Sequence, residues 1–217
     1  MTLSNKQVAI LKVPVFALSL LPAILLTWQA LHNQLGANPI EFVTHSTGRW
    51  ILKFLLITLA ITPLRKITGW NWLIRFRRLF GLFAFFYSVL HFITYIWLDK
   101  FFDMHEIWVD VLKRRFITVG FAAFVLLIPL AVTSTTGMIR RMGKRWGQLH
   151  RLIYLIAVLG IVHFIWLVKQ VDIFRPLQYG ALVLLVLGWR VGDWIIRKAK
   201  AKKKIPPQAK LPTPVAG

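Results

Sequence analysis

The chain has 217 residues, of which 57% are hydrophobic and only 16% are charged, and its mean hydropathy is +0.63. This is far more apolar surface than one soluble core needs, so the composition predicts an integral membrane protein. The chain has no cysteine, which excludes disulfides, thiolate-bound iron–sulfur clusters and covalently attached haem. The net charge of +21 would be typical of a nucleic-acid-binding protein in a soluble chain, but the basic residues fall in alternate loops, so we expect no nucleic-acid partner.

Six apolar stretches of roughly 20 residues follow one another, and each has the length that a helix needs to cross about 30 Å of hydrocarbon. They lie near residues 10–31, 48–65, 79–98, 116–135, 149–168 and 178–196. Short connections rich in Gly, Pro and charged residues separate them, so neighbouring helices should be antiparallel. The sequence therefore predicts an all-α integral membrane protein whose residues 1–196 form a bundle of six transmembrane helices.

The charge distribution predicts how this bundle is oriented. Basic residues dominate the N-terminal segment, the second and fourth connections and the C-terminal tail, whereas every acidic residue except Asp193 falls in the other three connections. The positive-inside rule then places both termini in the cytoplasm, with the basic cluster 113–115 as an exception on the outer side. Residues 197–217 are basic and then proline-containing, which predicts a disordered cytoplasmic tail against the lipid headgroups.

Two histidines, His91 and His163, lie deep in the third and fifth apolar stretches. His91 is 13 residues beyond Arg78 and His163 is 13 residues beyond His150, so at 1.5 Å per residue both lie about 20 Å from the inner surface. Ionisable residues are costly at this depth, and imidazole is a common ligand of haem iron. Two histidines at one depth on parallel helices predict a non-covalent, b-type haem between His91 and His163 in the outer half of the membrane. The alternative is that each histidine only forms a hydrogen bond to a neighbouring helix.

His150 is a candidate contact of a second cofactor near the inner surface. It lies about 140° around an ideal helix from His163, so one straight helix face cannot carry both. At its depth the third stretch offers Arg77 and Arg78, which are not usual iron ligands. An inner haem with two histidine ligands is therefore not supported, and a singly ligated haem, a flavin contact and an interfacial histidine stay open.

Several charged residues near the membrane surfaces allow two interpretations. Arg49 and Lys53 lie one turn apart at the outer end of the second stretch, where they would either pair with haem propionates or extend to lipid headgroups. Arg190 and Asp193, at i and i+3 in the last stretch, would suit an internal ion pair. His45 is expected to be a solvated loop histidine or to face a partner or a quinone at the outer surface.

The inner connections combine arginines with tryptophans. Topology explains most of this charge, but the same mixture would also suit the ring and phosphate of flavin mononucleotide (FMN). The residues concerned are Arg75, Arg77, Arg78, Arg140, Arg141, Lys144, Arg145, Trp70, Trp72 and Trp146.

Several ordered segments carry a resemblance to a known family. LGANPIEFVTHSTGRW, ITPLRK, RRLFGLFAFFYSVLH and TSTTGMIRRMGKRWGQLHRLIYL, together with the region of His163, resemble the MsrQ (YedZ) family, the haem-binding membrane subunits of periplasmic protein-methionine-sulfoxide reductase systems. The resemblance covers essentially residues 5–195. It implies a ferric reductase-like six-helix core in the bacterial inner membrane with haem b and, in some accounts of the family, FMN.

The resemblance also implies a role in electron transfer. Members of the family pass electrons from the quinone pool or a cytosolic flavin reductase to MsrP, a periplasmic molybdopterin subunit that reduces methionine sulfoxide in oxidised proteins. The family's haem-associated histidines correspond to His91, His150 and His163. Relative to the related oxidases, Arg77 and Arg78 stand where an inner histidine would be expected, and no FAD and NADPH domain follows, which implies a separate electron donor.

Two other functions remain possible from the sequence. One is a stand-alone transmembrane ferric or quinone reductase that uses the same haem. The other is a transporter or a structural membrane subunit with incidental histidines. Both alternatives keep the membrane bundle and differ in what the histidines do.

Overall fold

The computed structural model describes residues 3–168 and 172–203, and every regular element in these ranges is helical. The helices are α1 (Asn5–Leu31), α2 (Pro39–Thr68), α3 (Arg77–Ile93), α4 (Met104–Lys113), α5 (Arg115–Val132), α6 (Thr136–Met142), α7 (Lys144–Leu149), α8 (Leu152–Leu167) and α9 (Phe174–Lys203). A 3-10 helix (Asn71–Phe76) leads into α3, and a π-helical turn (Thr94–Asp99) continues it.

Five helical segments are long and apolar enough to cross a membrane. They are Asn5–Leu31, Asn71–Asp99, Arg115–Val132, Lys144–Leu167 and Phe174–Ala201. The sixth predicted span lies within α2, which is a continuous helix of 30 residues but is not among these five. Arg49 and Lys53 interrupt its apolar stretch, and it has the largest number of buried residues among the helices whose burial is described. The prediction of an all-α membrane protein is confirmed, with five spans supported by length and composition.

Two predicted connections contain helices of their own. The outer connection after residue 98 forms α4, which begins where the Asp103 carboxylate accepts a hydrogen bond from the Glu106 amide (2.9 Å). The inner connection before residue 149 forms α6 and α7, and the Thr135 hydroxyl caps α6. Such short helices depend on capping side chains and carry no long apolar period, so a search for apolar stretches misses them.

The last helix extends past the predicted boundary at residue 196 and continues to Lys203. The basic start of the predicted tail is therefore helical. Residues 204–217, the rest of the tail that we expect to be disordered, lie outside the described residues.

Two antiparallel hairpins form the centre of the bundle. Helix α2 packs along α3, and α5 packs along α8. His91 near the end of α3 contacts Thr44 near the start of α2, and His163 near the end of α8 contacts Phe116 near the start of α5. The rings of His91 and His163 also lie beside each other, so the starts of α2 and α5 and the ends of α3 and α8 lie at the same end of the bundle. Helices α3 and α8 therefore run in the same direction, as the sequence predicts. Helix α9 packs against α8 and α2, while α1 lies outside against α2 and α3.

The buried core lies along α2, α3, α5, α8 and α9. Its most enclosed side chains include Leu59, Ala84, Tyr87 and Ile156, all at most 2% exposed. Many large apolar side chains of α1 and α9 are exposed instead, which is expected where helices face lipid. Lipid gives helices little hydrophobic reason to associate, so specific contacts between helices matter more here than in a soluble bundle.

Tyr87 provides one such contact, because its hydroxyl is inserted into the backbone of α1. It accepts a hydrogen bond from the Ala23 amide (3.1 Å) and donates to the Ser19 carbonyl (2.9 Å). These two backbone groups would otherwise bond to each other in the i to i−4 pattern of an α-helix. The insertion lies next to Pro22, at a point where a helix is already weakened, and it ties α1 to α3.

Arg190 supplies a hydrogen-bond donor where a proline interrupts the backbone bonding of α2. Pro63 has no amide hydrogen, so the Leu59 carbonyl four residues earlier lacks its helical donor. The Arg190 guanidinium donates to this carbonyl (2.7 Å) and to the Tyr154 hydroxyl (2.8 Å). The predicted pair of Arg190 with Asp193 is therefore wrong, because the nearby freed carbonyl takes the guanidinium.

Asp193 has other partners on the same end of the bundle. Its carboxylate accepts from the Lys66 ammonium (2.5 and 2.6 Å) and from Arg197 one turn further along α9 (2.9 Å). These pairs join the end of α2 to α9 at the end of the bundle that carries the basic connections.

Candidate functional site

A cavity of about 810 Å³ opens between α2, α3, α5 and α8, at the end that carries the outer connections. This volume is within the range of cofactor sites in proteins. Most of its wall is apolar, with polar and charged groups near the opening. Apolar and aromatic wall residues include Leu52, Leu55, Phe92, Phe121, Phe124, Ile156 and Phe164.

His91 and His163 line this cavity together. Their ring centroids are 6.2 Å apart and their ring planes are nearly perpendicular, at 89°. Two metal–nitrogen bonds of about 2 Å each, plus roughly 1 Å from each ring nitrogen to its ring centre, add to about 6 Å. The spacing of the two imidazoles therefore fits one iron between them, and their shared depth agrees with the prediction from the sequence.

The hydrogen bonds of His91 determine which of its nitrogens is available. Nδ1 lies 3.0 Å from the Thr44 carbonyl and 3.2 Å from the Thr47 hydroxyl. A carbonyl oxygen can only accept, so Nδ1 carries the hydrogen and donates it to Thr44. The neutral ring then keeps the lone pair of Nε2 for a metal, in the arrangement typical of metal-bound histidines.

His163 has the same arrangement on the other hairpin. Its Nδ1 donates to the Phe116 carbonyl at 2.7 Å, which leaves Nε2 as the free ligand atom. The imidazoles of both predicted ligands are thus oriented by backbone carbonyls of the helices they pack against. The sequence carries no signal for these carbonyls, because every residue has one.

Glycines line the cavity where helices and rings come close. Gly160 lies in the wall, and an added Cβ there would be 3.3 Å from Leu52. Gly48 and Gly120, which the sequence reading overlooked, lie beside His91 and His163. An isolated glycine within an apolar helix is a signal of close approach, and it could have identified both.

Three arginines lie around the opening of the cavity, namely Arg49, Arg114 and Arg175. The sequence suggests Arg49 as a partner of haem propionates or of lipid headgroups, whereas Arg114 stands out only as part of the basic cluster 113–115. A cation that departs from the positive-inside pattern is a candidate for function, and this signal could have identified Arg114. Lys53, grouped with Arg49 in the prediction, lies elsewhere, with its ammonium over the Trp50 ring at 3.9 Å from the ring centre.

A buried ion network holds Arg114 at the opening. The Lys100 ammonium donates to Asp110 (2.6 Å) and to Glu106 (2.5 Å), and Arg114 donates to the same Asp110 carboxylate (3.2 Å). Burial by itself lowers the pKa of Lys100, but hydrogen bonds and charge from Asp110 and Glu106 outweigh it and raise that pKa above its ordinary value. Lys100 therefore stays charged at physiological pH.

His45 also lines the opening, one helical turn from Glu41, with its Nδ1 4.0 Å from the Glu41 carboxylate. It lies in α2 and not in a loop, and its side chain is 38% exposed. The expected solvent access is therefore partly correct, whereas the expected loop position is wrong.

His150 lies at the opposite end of the bundle, outside the residues that line this cavity. The Thr133 hydroxyl donates to the Pro129 carbonyl (2.6 Å) and so accepts from His150 Nε2–H (3.1 Å). The Trp146 ring stacks on the imidazole with centroids 3.9 Å apart. His150 falls in a turn between α7 and α8, outside the regular helix that carries His163.

Arg77 and Arg78 begin α3, at the same inner end and away from the lining of the outer cavity. Arg77 is half-buried, and Arg78 is exposed with a guanidinium nitrogen 3.5 Å from the Thr136 hydroxyl. Of the predicted flavin-contact tryptophans, Trp146 already stacks on His150 and donates to the Thr133 carbonyl. An open basic depression on this side is lined by Met138, Arg141, Met142, Lys144 and Arg145.

Comparison with known proteins identifies the family of this bundle. Residues 47–161, which include the two hairpins up to Ile161 in α8, match the model of the ferric reductase like transmembrane component. A curated relative from Herminiimonas arsenicoxydans, the protein-methionine-sulfoxide reductase heme-binding subunit MsrQ, is 56% identical over 87% of this chain and 87% of that protein. The chain belongs to the MsrQ family.

Two further relatives of the MsrQ family support this membership over most of the chain. The subunit from Azospira oryzae is 49% identical over 88% of this chain and 82% of its own length, and that from Xanthomonas oryzae pv. oryzae is 47% identical over 96% and 99%. No solved structure matches this chain. The resemblance predicted from the ordered segments is therefore confirmed, and the chain is a multi-pass, ferric reductase-like membrane protein.

Proposed function

We propose that this protein is a haem b electron-transfer subunit of the bacterial inner membrane, in which His91 and His163 would hold the haem iron. The observation that carries the proposal is the matched pair of imidazoles, each with Nδ1 bound to a backbone carbonyl and Nε2 left for iron. The relatives from Herminiimonas arsenicoxydans and Azospira oryzae are named as heme-binding subunits, which agrees with it.

The residues of the cavity would hold and tune the cofactor. The carbonyls of Thr44 and Phe116 orient the imidazoles and make them more basic ligands. The apolar wall excludes water, and the arginines at the opening suit the carboxylates of a haem. Haem iron, when bound, accepts and releases one electron at a time.

The position of the cavity sets the direction that we propose for electron flow. It opens at the end of the outer connections, so the acceptor would dock there, and we propose the periplasmic molybdopterin subunit MsrP, which reduces methionine sulfoxide in oxidised proteins. The donor would be the quinone pool or a cytosolic flavin reductase, as the family resemblance implies. An FMN on the inner side, with His150, Arg77 and Arg78 nearby, stays a prediction of the family resemblance.

Replacement of each histidine tests the ligand assignment. His91→Ala and His163→Ala should each abolish the six-coordinate, low-spin haem spectrum of the purified protein, because each removes one axial ligand. His150→Ala should keep that spectrum, since His150 is bound to Thr133 away from the cavity. His32→Ala is a further control, because that ring is exposed and stacks on Trp28. A normal spectrum in either ligand variant would disprove the assignment.

A stand-alone transmembrane ferric or quinone reductase is the second candidate, and the match to the ferric reductase model favours it. The two functions differ in their acceptor. Purified protein with reduced haem should transfer electrons to MsrP and support methionine-sulfoxide reduction only when both proteins are present. Rapid reduction of ferric chelates or quinone, with no effect of MsrP, would favour the second candidate.

A further inference from the structure

His91 and His163 are held in the same way on two different hairpins. On α2, the Thr44 carbonyl accepts from His91, and Gly48, four residues later, faces the same ring. On α5, the Phe116 carbonyl accepts from His163, and Gly120, again four residues later, faces that ring. Residues four apart lie on the same face of a helix, so each glycine leaves space directly beside its carbonyl.

The space is much tighter on the second hairpin. A Cβ added to Gly120 would lie 2.6 Å from Nδ1 of His163, 2.8 Å from Cε1 and 3.2 Å from Cγ. A Cβ added to Gly48 would lie 3.4 Å from Cε1 of His91 and 3.6 Å from Nδ1. The distances of 2.6 and 2.8 Å are shorter than real Cβ contacts, whereas both distances at Gly48 are ordinary van der Waals distances.

We propose that Gly120 is a positioning residue for the haem: it lets the His163 imidazole reach the Phe116 carbonyl and so hold Nε2 towards the cavity. The inference rests on the proposed function and adds a residue to it. The atom that a side chain at position 120 would strike is Nδ1, the same atom that forms the 2.7 Å hydrogen bond. The ring cannot move away without losing that bond or leaving its place beside His91.

We expect substitution of the two glycines to affect haem binding to different extents. Loss of the hydrogen-bond partner of a metal-bound histidine typically lowers metal affinity about 10- to 100-fold, and we expect a fall of this order in haem affinity for Gly120→Ala. The weakened axial bond should also make the iron open to carbon monoxide and shift the midpoint potential. Gly48→Ala should change all three properties less than Gly120→Ala does, because its methyl group would lie close to ordinary van der Waals distance from the His91 ring.

The test compares full-length variants purified with haem. Haem per protein, the low-spin spectrum, carbon monoxide binding and midpoint potential are measured for the wild type, Gly120→Ala and Gly48→Ala. Gly188→Ala in α9 is the matched control, because a Cβ at Gly188 would have no heavy atom of the described residues within 4 Å. If Gly120 had only a structural role, Gly120→Ala would lower the stability of the protein but would not let carbon monoxide bind to the iron.

The outcomes separate this inference from the proposed function. Wild-type protein without haem would overturn both. The role of Gly120 alone would be overturned by a different result. In that case the wild type has a low-spin haem that His163→Ala loses, but Gly120→Ala keeps the normal haem content, midpoint potential and resistance to carbon monoxide. If Gly120→Ala does not fold, the double variant Gly120→Ala/His163→Ala should restore folding, since it removes the ring that the methyl group strikes. Failure of the double variant to fold would disprove the steric cause.

Discussion

The hydroxyl of Tyr87 shows how a single polar atom joins two membrane helices. It forms hydrogen bonds with two backbone groups of α1, from the Ala23 amide and to the Ser19 carbonyl. Arg190 donates to the Leu59 carbonyl that Pro63 leaves without a helical donor in α2. Because hydrocarbon offers no water to these groups, the side chains that satisfy them also fix which helices are neighbours.

Tyr87→Phe should therefore weaken the attachment of α1. The substitution keeps the ring and its stacking on Phe54 but leaves the Ala23 amide and the Ser19 carbonyl without this partner. We expect a loss of about 1–3 kcal/mol in the free energy of unfolding, measured by denaturant titration in detergent. Tyr179→Phe is the control, since the described residues give its hydroxyl no hydrogen-bond partner, and equal losses in both variants would contradict the role of Tyr87.

Helix α4 has an unusual distribution of side chains for a surface helix. Met104, Trp108 and Leu112 are exposed along one face, whereas Asp110 is buried on the other and pairs with Lys100. The face that carries Ile107, Asp110 and Val111 is thus the one that packs against the protein, and the pair of Asp110 with Lys100 holds α4 there. Short helices at a membrane surface can be fixed in this way, because a buried ion pair is costly to break.

Removal of Lys100 should destabilise this connection. Lys100→Met leaves the buried Asp110 carboxylate without its 2.6 Å partner, and we expect a loss of about 3 kcal/mol. Lys113→Met, on the exposed end of the same helix, should have little effect. Both are measured as changes in unfolding free energy against the wild type.

The pH dependence of that loss follows from the raised pKa of Lys100. A lysine whose pKa is higher in the folded state than its ordinary value of about 10.4 contributes its full stability below that value and loses it as the pH rises through the folded pKa. The difference between wild type and Lys100→Met should therefore be constant from about pH 6 to pH 9. A difference that shrinks over this range would contradict the assignment.

At the scale of the whole molecule, two hairpins meet with their equivalent ends together. Each supplies one imidazole, one backbone carbonyl and one glycine at the same end of the bundle. Polar contacts at the other end involve His150, Arg190 and the Lys66–Asp193 pair. Because the two ends of the bundle differ in this way, its function depends on how it is oriented in the membrane.

Cysteine labelling can determine both the orientation and the number of spans. The chain has no cysteine, so each introduced residue is a unique site. We predict six spans with both termini inside, so an impermeant maleimide should label Gln34→Cys in intact cells and should reach Asn71→Cys and Lys198→Cys only after the inner membrane is permeabilised. Labelling of Asn71→Cys from outside would show that α2 does not cross the membrane.

The sequence by itself determined the membrane class, the family and the two histidines at a common depth. These follow from composition, from apolar length and from the regular rise of a helix, which are properties of the chain alone. The sequence also singled out Arg49, for haem propionates or lipid headgroups, and Arg49 lines the cavity. The role of His91 and His163 as ligands stays a prediction that the geometry supports.

The tertiary structure decided what each of these residues contacts. The carbonyls of Thr44 and Phe116, the space at Gly120, the partner of Arg190 and the bond from His150 to Thr133 all depend on how neighbouring helices are rotated and placed along one another. An apolar period specifies which faces are buried but not the register between two helices. In a membrane, that register is set by a few hydrogen bonds and close contacts between residues far apart in the sequence.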